Sequence, residues 1–112
     1  MNIWNNIGLL EKVNLVRFSK LMSLATKRTI NDSGQSSFAI EIVAESSEKQ
    51  RITIHCGGVV DIKFGNPAET ADILINIFDV RDWQREGVRY RVTEEENAAF
   101  SFNCAEFSVE LE

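Results

Sequence analysis

The chain has 112 residues, of which 44% are hydrophobic and 26% charged. This balance is typical of a globular protein, and the length suits one domain over residues 1–112, because two domains would each have too small a core. The net charge of −5 argues against nonspecific nucleic-acid binding, which requires cations that neutralise phosphates. It favours a basic partner instead.

Membrane insertion and export are both unexpected. No run approaches the ~18 apolar residues of a membrane span, and no charged leader precedes an apolar segment and a cleavage site. Cys56 and Cys104 are too few for a disulfide framework. We therefore expect a cytoplasmic protein with two free thiols.

The first segment, residues 3–18, has an ambiguous pattern. Four apolar residues follow helical spacing and predict a helix that Asn5 or Asn6 would cap: Ile3, Ile7, Leu10 and Val13. A second apolar set fits a short strand equally well: Val13, Leu15, Val16 and Phe18. We expect Trp4 in the core, because tryptophan is usually buried.

From residue 21 to residue 64 the hydrophobic period is mostly two, which predicts half-buried strands. Apolar and polar residues alternate over residues 22–26, 38–44, 52–56 and 60–64. Turns are predicted between them at residues 31–34 and 46–49, with a bend at Gly57 and Gly58. The order of strands and turns is typical of an antiparallel meander.

The pattern breaks at residues 65–67 and then resumes. In residues 68–80 the alternation of Ile73, Ile75 and Ile77 favours a strand over a short helix capped by Thr70. Three more strands are predicted near residues 88–92, 100–104 and 107–111. The fold class expected is therefore α+β and β-rich, a mostly antiparallel sheet of about seven or eight short strands with one N-terminal helix.

Catalytic motifs are missing from the sequence. It has no phosphate-binding loop and no nucleophile elbow, and one histidine with two cysteines is too few for structural zinc. His55 and Cys56 would point to opposite faces of a strand, which leaves Cys104 with His55 as the pairing that a small thiol enzyme would need. We expect both thiols in the core, His55 on the wet face, and no catalysis, cofactor or metal.

Charge is distributed unevenly along the chain. Residues 57–112 carry five basic and twelve acidic side chains, and residues 93–112 carry six acids and no base. Carboxylates held on a rigid sheet attract a basic surface, although such a run also keeps an edge hairpin soluble. Trp83 lies among charged residues, where it could anchor an interface or cover the edge of the sheet.

Five stretches resemble the small cytoplasmic immunity proteins of bacterial polymorphic-toxin and contact-dependent growth inhibition systems: residues 3–7, 54–62, 81–92, 100–104 and 106–107. The resemblance implies a non-catalytic protein that binds and neutralises one cognate toxin domain. We expect a nuclease toxin, because an acidic surface can fill the basic cleft that holds phosphates. We expect a monomer when free, with no direct contact to nucleic acid or membrane.

The partner is expected to contact a set of mainly acidic residues: Asp79, Asp82, Trp83, Glu86, Glu94, Glu95 and Glu96, followed by Glu106 and Glu110. One alternative is a small-ligand-binding β-module whose pocket is lined by four aromatic residues: Phe38, Phe64, Phe100 and Phe102. Another alternative is a homo-oligomer that associates through an exposed edge strand.

Overall fold

The computed structural model describes residues 2–66 and 72–112, and in these it contains nine strands, one short α-helix and two 3-10 turns. The strands are β1 (Asn2–Trp4), β2 (Lys20–Ile30), β3 (Ser36–Glu45), β4 (Arg51–Gly57), β5 (Val60–Phe64), β6 (Ile75–Asp79), β7 (Tyr90–Glu94), β8 (Phe100–Cys104) and β9 (Glu106–Leu111). Helix α1 (Ile7–Glu11) and the turn Leu15–Arg17 lie between β1 and β2, and the turn Arg81–Trp83 follows β6.

The strands form two sheets in which every pairing is antiparallel. Sheet A has the order β1-β9-β4-β3-β2, and sheet B has the order β5-β8-β7-β6. The chain passes between the sheets at two adjacent corners, where the Ala105 N–H donates to the Gly57 carbonyl at 3.0 Å. Gly58 has a φ of +63°, and a Cβ there would lie 2.8 Å from the Ala105 Cβ, so this corner requires glycine.

The core lies between the inner faces of the two sheets. The Tyr90 ring of sheet B meets the Phe107 ring of sheet A edge-on, with centroids 4.8 Å apart. Buried residues of both sheets form one cluster, which Leu10 of α1 and Phe18 also join. The alternation in the sequence produces this arrangement, because every second residue of β3, β4 and β9 points inward.

The β-rich α+β fold is confirmed, with nine strands in the described residues instead of seven or eight. The strands expected near residues 38–44, 52–56, 100–104 and 107–111 form as predicted. The strand over Ile75–Asp79 also forms, while Thr70 lies outside the described residues. No helix in the described ranges is long and apolar enough to cross a membrane.

The N-terminal segment differs from both of its interpretations. The helix is limited to Ile7–Glu11, with the Asn6 Oδ1 accepting from the Leu9 N–H at 3.0 Å. The strand alternative for residues 13–18 is wrong, because the chain makes a 3-10 turn there. The prediction that Trp4 is buried is also wrong: β1 turns Ile3 into the core and leaves Trp4 65% exposed.

Candidate functional site

The residues predicted to contact a partner lie in three separate places. The last residue of β6 and the connection from β6 to β7 hold Asp79, Asp82, Trp83 and Glu86. The last residue of β7 and the turn that follows it hold Glu94, Glu95 and Glu96. The outer face of sheet A, which points away from the core, holds Glu106 and Glu110. The first two groups lie at opposite ends of sheet B, about 14 Å apart along the strands, so the structure does not join the set into one surface.

Glu94 is a structural residue and does not belong to an exposed acidic surface. Its side chain is 3% exposed, and its two carboxylate oxygens accept four backbone N–H groups at 2.7–3.1 Å: those of Leu74, Glu96, Asn97 and Ala99. Burial alone would raise the pKa of Glu94, but these four donors outweigh it and hold the pKa below its ordinary value. The carboxylate therefore shapes the β7–β8 turn and ties it to β6.

The other two acids of this turn are exposed. Glu95 Oε1 accepts the Thr93 hydroxyl at 2.8 Å and the Asn76 amide at 3.3 Å. Glu96 borders a shallow groove with Val16 and with Asp72. Of the three consecutive glutamates 94–96, only Glu96 therefore presents a carboxylate that no described side chain engages.

The connection between β6 and β7 neutralises much of its own charge. The Arg81 guanidinium donates to the Asp79 carboxylate at 2.9–3.0 Å, which lowers the pKa of Asp79. Arg85 forms a two-point ion pair with Asp61 of β5, and this hydrogen bonding lowers the pKa of Asp61. Trp83 is half exposed among these paired charges. Asp82 and Glu86 are exposed and form no ion pair with a described residue, so this region mixes paired and unpaired charges and is not a uniformly acidic patch.

The outer face of sheet A presents a different arrangement. Four residues form one row across neighbouring strands, with register pairs at each step: Trp4, Ser108, His55 and Glu41. Glu106 and Glu110 lie two residues to either side of Ser108 on the same face, about 7 Å from it along β9. We call these six residues the Trp4 face.

Charges on the Trp4 face are only partly paired. His55 Nδ1 lies 3.3 Å from Glu41 Oε2, with both side chains more than 40% exposed. Glu106 and Glu110 are exposed, and neither forms an ion pair with any described residue. The exposed indole of Trp4 therefore lies beside the carboxylates of Glu106 and Glu110, which form no ion pair with a described residue.

Sequence reasoning missed Trp4 and Glu41 as candidate contacts. The strict alternation of Ile3 and Trp4 could have shown that one of them faces solvent, but β1 has only three residues. Glu41 had no signal of its own, because its position opposite His55 depends on the register of β3 against β4.

The residues that a thiol enzyme or a ligand-binding module would need are not brought together. Cys56 and Cys104 lie in the core, where a side-chain hydrogen bond between them and burial raise the pKa of Cys56, while His55 faces outward. Of the aromatic residues proposed for a ligand pocket, Phe100 and Phe102 are fully buried and Phe64 is 48% exposed, so the set does not line one cavity. Within the described residues, no three potential metal ligands form a group.

The fold and its surfaces define a small antiparallel β protein with an aromatic and acidic patch open to solvent. A family model described as Immunity protein PIM8 matches residues 2–110. The chain therefore belongs to this family of immunity proteins, which confirms the resemblance seen in the sequence. Comparison with curated proteins and with solved structures found no significant match.

Proposed function

We propose that the chain binds and neutralises one cognate toxin domain, without catalysis, by placing the Trp4 face on the toxin. Membership of an immunity-protein family supports a toxin as the partner. The observation that carries the choice of surface is the 65% exposure of Trp4 beside two carboxylates with no cationic partner in the described residues. In this proposal the protein is a cytoplasmic monomer until it meets the toxin.

An exposed tryptophan on a flat sheet is suited to anchor a protein complex. Tryptophan is enriched among the few residues that carry most of the binding energy of an interface. The register partner of Trp4 on β9 is the small residue Ser108, so one side of the indole is open to a partner surface. Burial of this side chain would remove its unfavourable contact with water.

The charges of the face suit a basic partner. Glu106 and Glu110 flank the Trp4–Ser108 pair and attract cations, while the indole can accept a cation against its ring face. A nuclease must hold phosphates with a basic cleft. The proposal therefore names a nuclease as the toxin and its basic surface as the area that the Trp4 face covers.

The rival anchor, Trp83, is less suited to this role. Two of its charged neighbours, Arg81 and Arg85, already form ion pairs with Asp79 and Asp61. A partner that engaged these groups would have to break those pairs first. The two tryptophans therefore provide a matched comparison within one chain.

The decisive experiment measures binding of the catalytically inactivated toxin domain encoded by the adjacent reading frame. We expect Trp4→Ala to weaken binding by at least about 30-fold and Trp83→Ala by less than about 3-fold. Circular dichroism checks that both variants fold. The opposite pattern would move the interface to the β6–β7 connection.

With the active toxin, an equimolar amount of the chain should stop cleavage of nucleic acid, and a toxin that cleaves none would exclude a nuclease target.

A further inference from the structure

The four outer edges of the two sheets are protected unequally. Strand β1 is only three residues long, β5 is bulged between Val60 and Lys63, and β6 is in contact with α1 and with the 3-10 turn Leu15–Arg17. Short, bent or covered edges prevent unwanted strand pairing. The fourth edge, β2 over Lys20–Ile30, is the long one: its register shifts only near its start, between Leu21 and Ser23, and no described element pairs with its outer side.

The register of β2 shows which of its backbone groups are available. The Asn31 N–H donates to the Gln35 carbonyl at 2.9 Å, and β2 pairs with β3 without a break from Ser23 to Ile30. Bonded and non-bonded pairs alternate in an antiparallel ladder. Outward N–H and C=O groups therefore belong to every second residue: Leu24, Thr26, Arg28 and Ile30. They form a straight row about 20 Å long.

The charge of this edge is opposite to that of the whole chain. Residues 20–30 carry three cations and no carboxylate, in a protein of net charge −5. None of these cations forms an ion pair with a described residue: Lys20, Lys27 and Arg28. Pairing of β2 with β2 of a second copy would bring like charges together, whereas a strand that carries Asp or Glu would be attracted.

A groove beside the edge could receive a side chain of such a strand. Its volume is about 500 Å³, and Arg28, Phe38, Val59 and Val60 are among the residues that line it. Strand addition combines backbone hydrogen bonds along an edge with pockets for alternate side chains. Here the groove offers an apolar wall and a guanidinium, which suits a strand with an acidic and an apolar residue two positions apart.

We propose that the free edge of β2 receives an extended, acidic strand of the toxin domain, which continues sheet A and places a carboxylate at Arg28. This inference rests on the proposed function, because the occupant is the toxin. Strands β1 and β2 bound sheet A about 19 Å apart, so one toxin domain can reach both the Trp4 face and the edge. Together they would approach the 1,200–2,000 Å² or so that a stable complex buries.

Hydrogen exchange of the full-length protein tests the edge directly. With the inactivated toxin domain bound, the amides of Leu24, Thr26, Arg28 and Ile30 should exchange at least about 10-fold more slowly than in the free protein. The alternate amides, which bond to β3, should be slow in both states. Unchanged exchange at the four outward amides would overturn the proposal. Slow exchange without toxin at high protein concentration would also overturn it, because the occupant would then be a second copy.

A proline provides an independent test. Thr26→Pro removes one outward N–H without removing a bond to β3, and should weaken toxin binding by at least about 30-fold, whereas Thr26→Ala should change it by less than about 3-fold. If the proline variant does not fold, Arg28→Glu decides, with an expected loss of about 10-fold or more. If Thr26→Pro folds and binds the toxin with wild-type affinity, strand addition is contradicted. If Thr26→Pro is unfolded, wild-type affinity of Arg28→Glu contradicts it instead.

The two proposals can fail separately. Suppose that Trp4→Ala loses binding, while the outward amides of the wild-type protein exchange as fast in the complex as in the free protein. This result would support the Trp4 face and overturn strand addition. Wild-type binding in Trp4→Ala with slowed outward amides would do the reverse.

Discussion

The outer faces of the two sheets differ in how fully their charged side chains are paired. On sheet B, Arg91 donates to Asn103 at 3.2 Å, and the Asn103 amide donates to Asp61 at 2.7 Å, which Arg85 also holds. On sheet A two cross-strand ion pairs also form between β3 and β4, but Glu106 and Glu110 have no cationic partner in the described residues. Charges that are already paired stabilise the fold, while unpaired charges remain available for a partner.

The same contrast occurs within the run of acids after β7. Glu94 is buried and engages four backbone donors, whereas Glu96 is exposed. Three consecutive glutamates therefore do not make a uniform acidic site. Their roles depend on where each side chain points, which is set by the end of the strand and by the turn that follows.

The largest effect is expected from Glu94→Ala. Removal of the carboxylate leaves buried N–H donors without partners, so the free energy of unfolding should fall by at least about 3 kcal/mol. Glu96→Ala is the matched control and should change it by less than about 0.5 kcal/mol. Urea denaturation measures both. Equal losses would show that the two acids share one role.

A smaller effect is expected at the corner that sets one sheet against the other. Gly58→Ala imposes a positive φ on alanine and a 2.8 Å contact with Ala105, and should cost about 2 kcal/mol or more. Gly34→Ala also imposes a positive φ but meets no atom within 4 Å, so it should cost only about 1 kcal/mol. Thermal unfolding of the two variants separates crowding from backbone strain, and identical losses would exclude crowding.

Acid should reveal the role of Glu94 in sheet B. Its pKa is lowered in the folded state, so its carboxylate adds stability above the unfolded value of about 4.3, and that stability is lost as the pH falls through the folded pKa. The melting temperature of Glu94→Gln should therefore lie below that of the wild type at neutral pH, and the gap should narrow below about pH 4. A gap that stays constant down to pH 3 would contradict this assignment.

Much of the fold could be predicted because its strands alternate strictly. The period of two directly gives the inward residues of β4 and β9, which are Ile52, Ile54 and Cys56 on β4 and Phe107 and Val109 on β9. The N-terminal segment could not be resolved in this way, because a three-residue strand and a five-residue helix each span fewer than two full periods of their pattern.

The site could be predicted only in part, because it depends on contacts between distant parts of the chain. The sequence alone gives the carboxylate of Glu106, and alternation shows that it faces outward. Neither shows that Glu94 would meet the Leu74 N–H twenty residues earlier, or that Trp4 would lie beside Ser108. Such pairings follow from register and loop closure, which local patterns do not encode.

The smallest effect on stability, and the sharpest test of the contrast between the sheets, is expected from Glu106→Gln with Glu110→Gln. Both side chains are exposed and without ion pairs among the described residues, so the free energy of unfolding should change by less than about 0.5 kcal/mol. Loss of two charges from the Trp4 face should nevertheless slow association with the inactivated toxin domain by about 10-fold at low salt and flatten its salt dependence. Stopped-flow measurements would compare it with Glu95→Gln plus Glu96→Gln, which removes the same charge from sheet B. If both pairs slow association equally, only the overall charge matters, and the Trp4 face has no special part in steering.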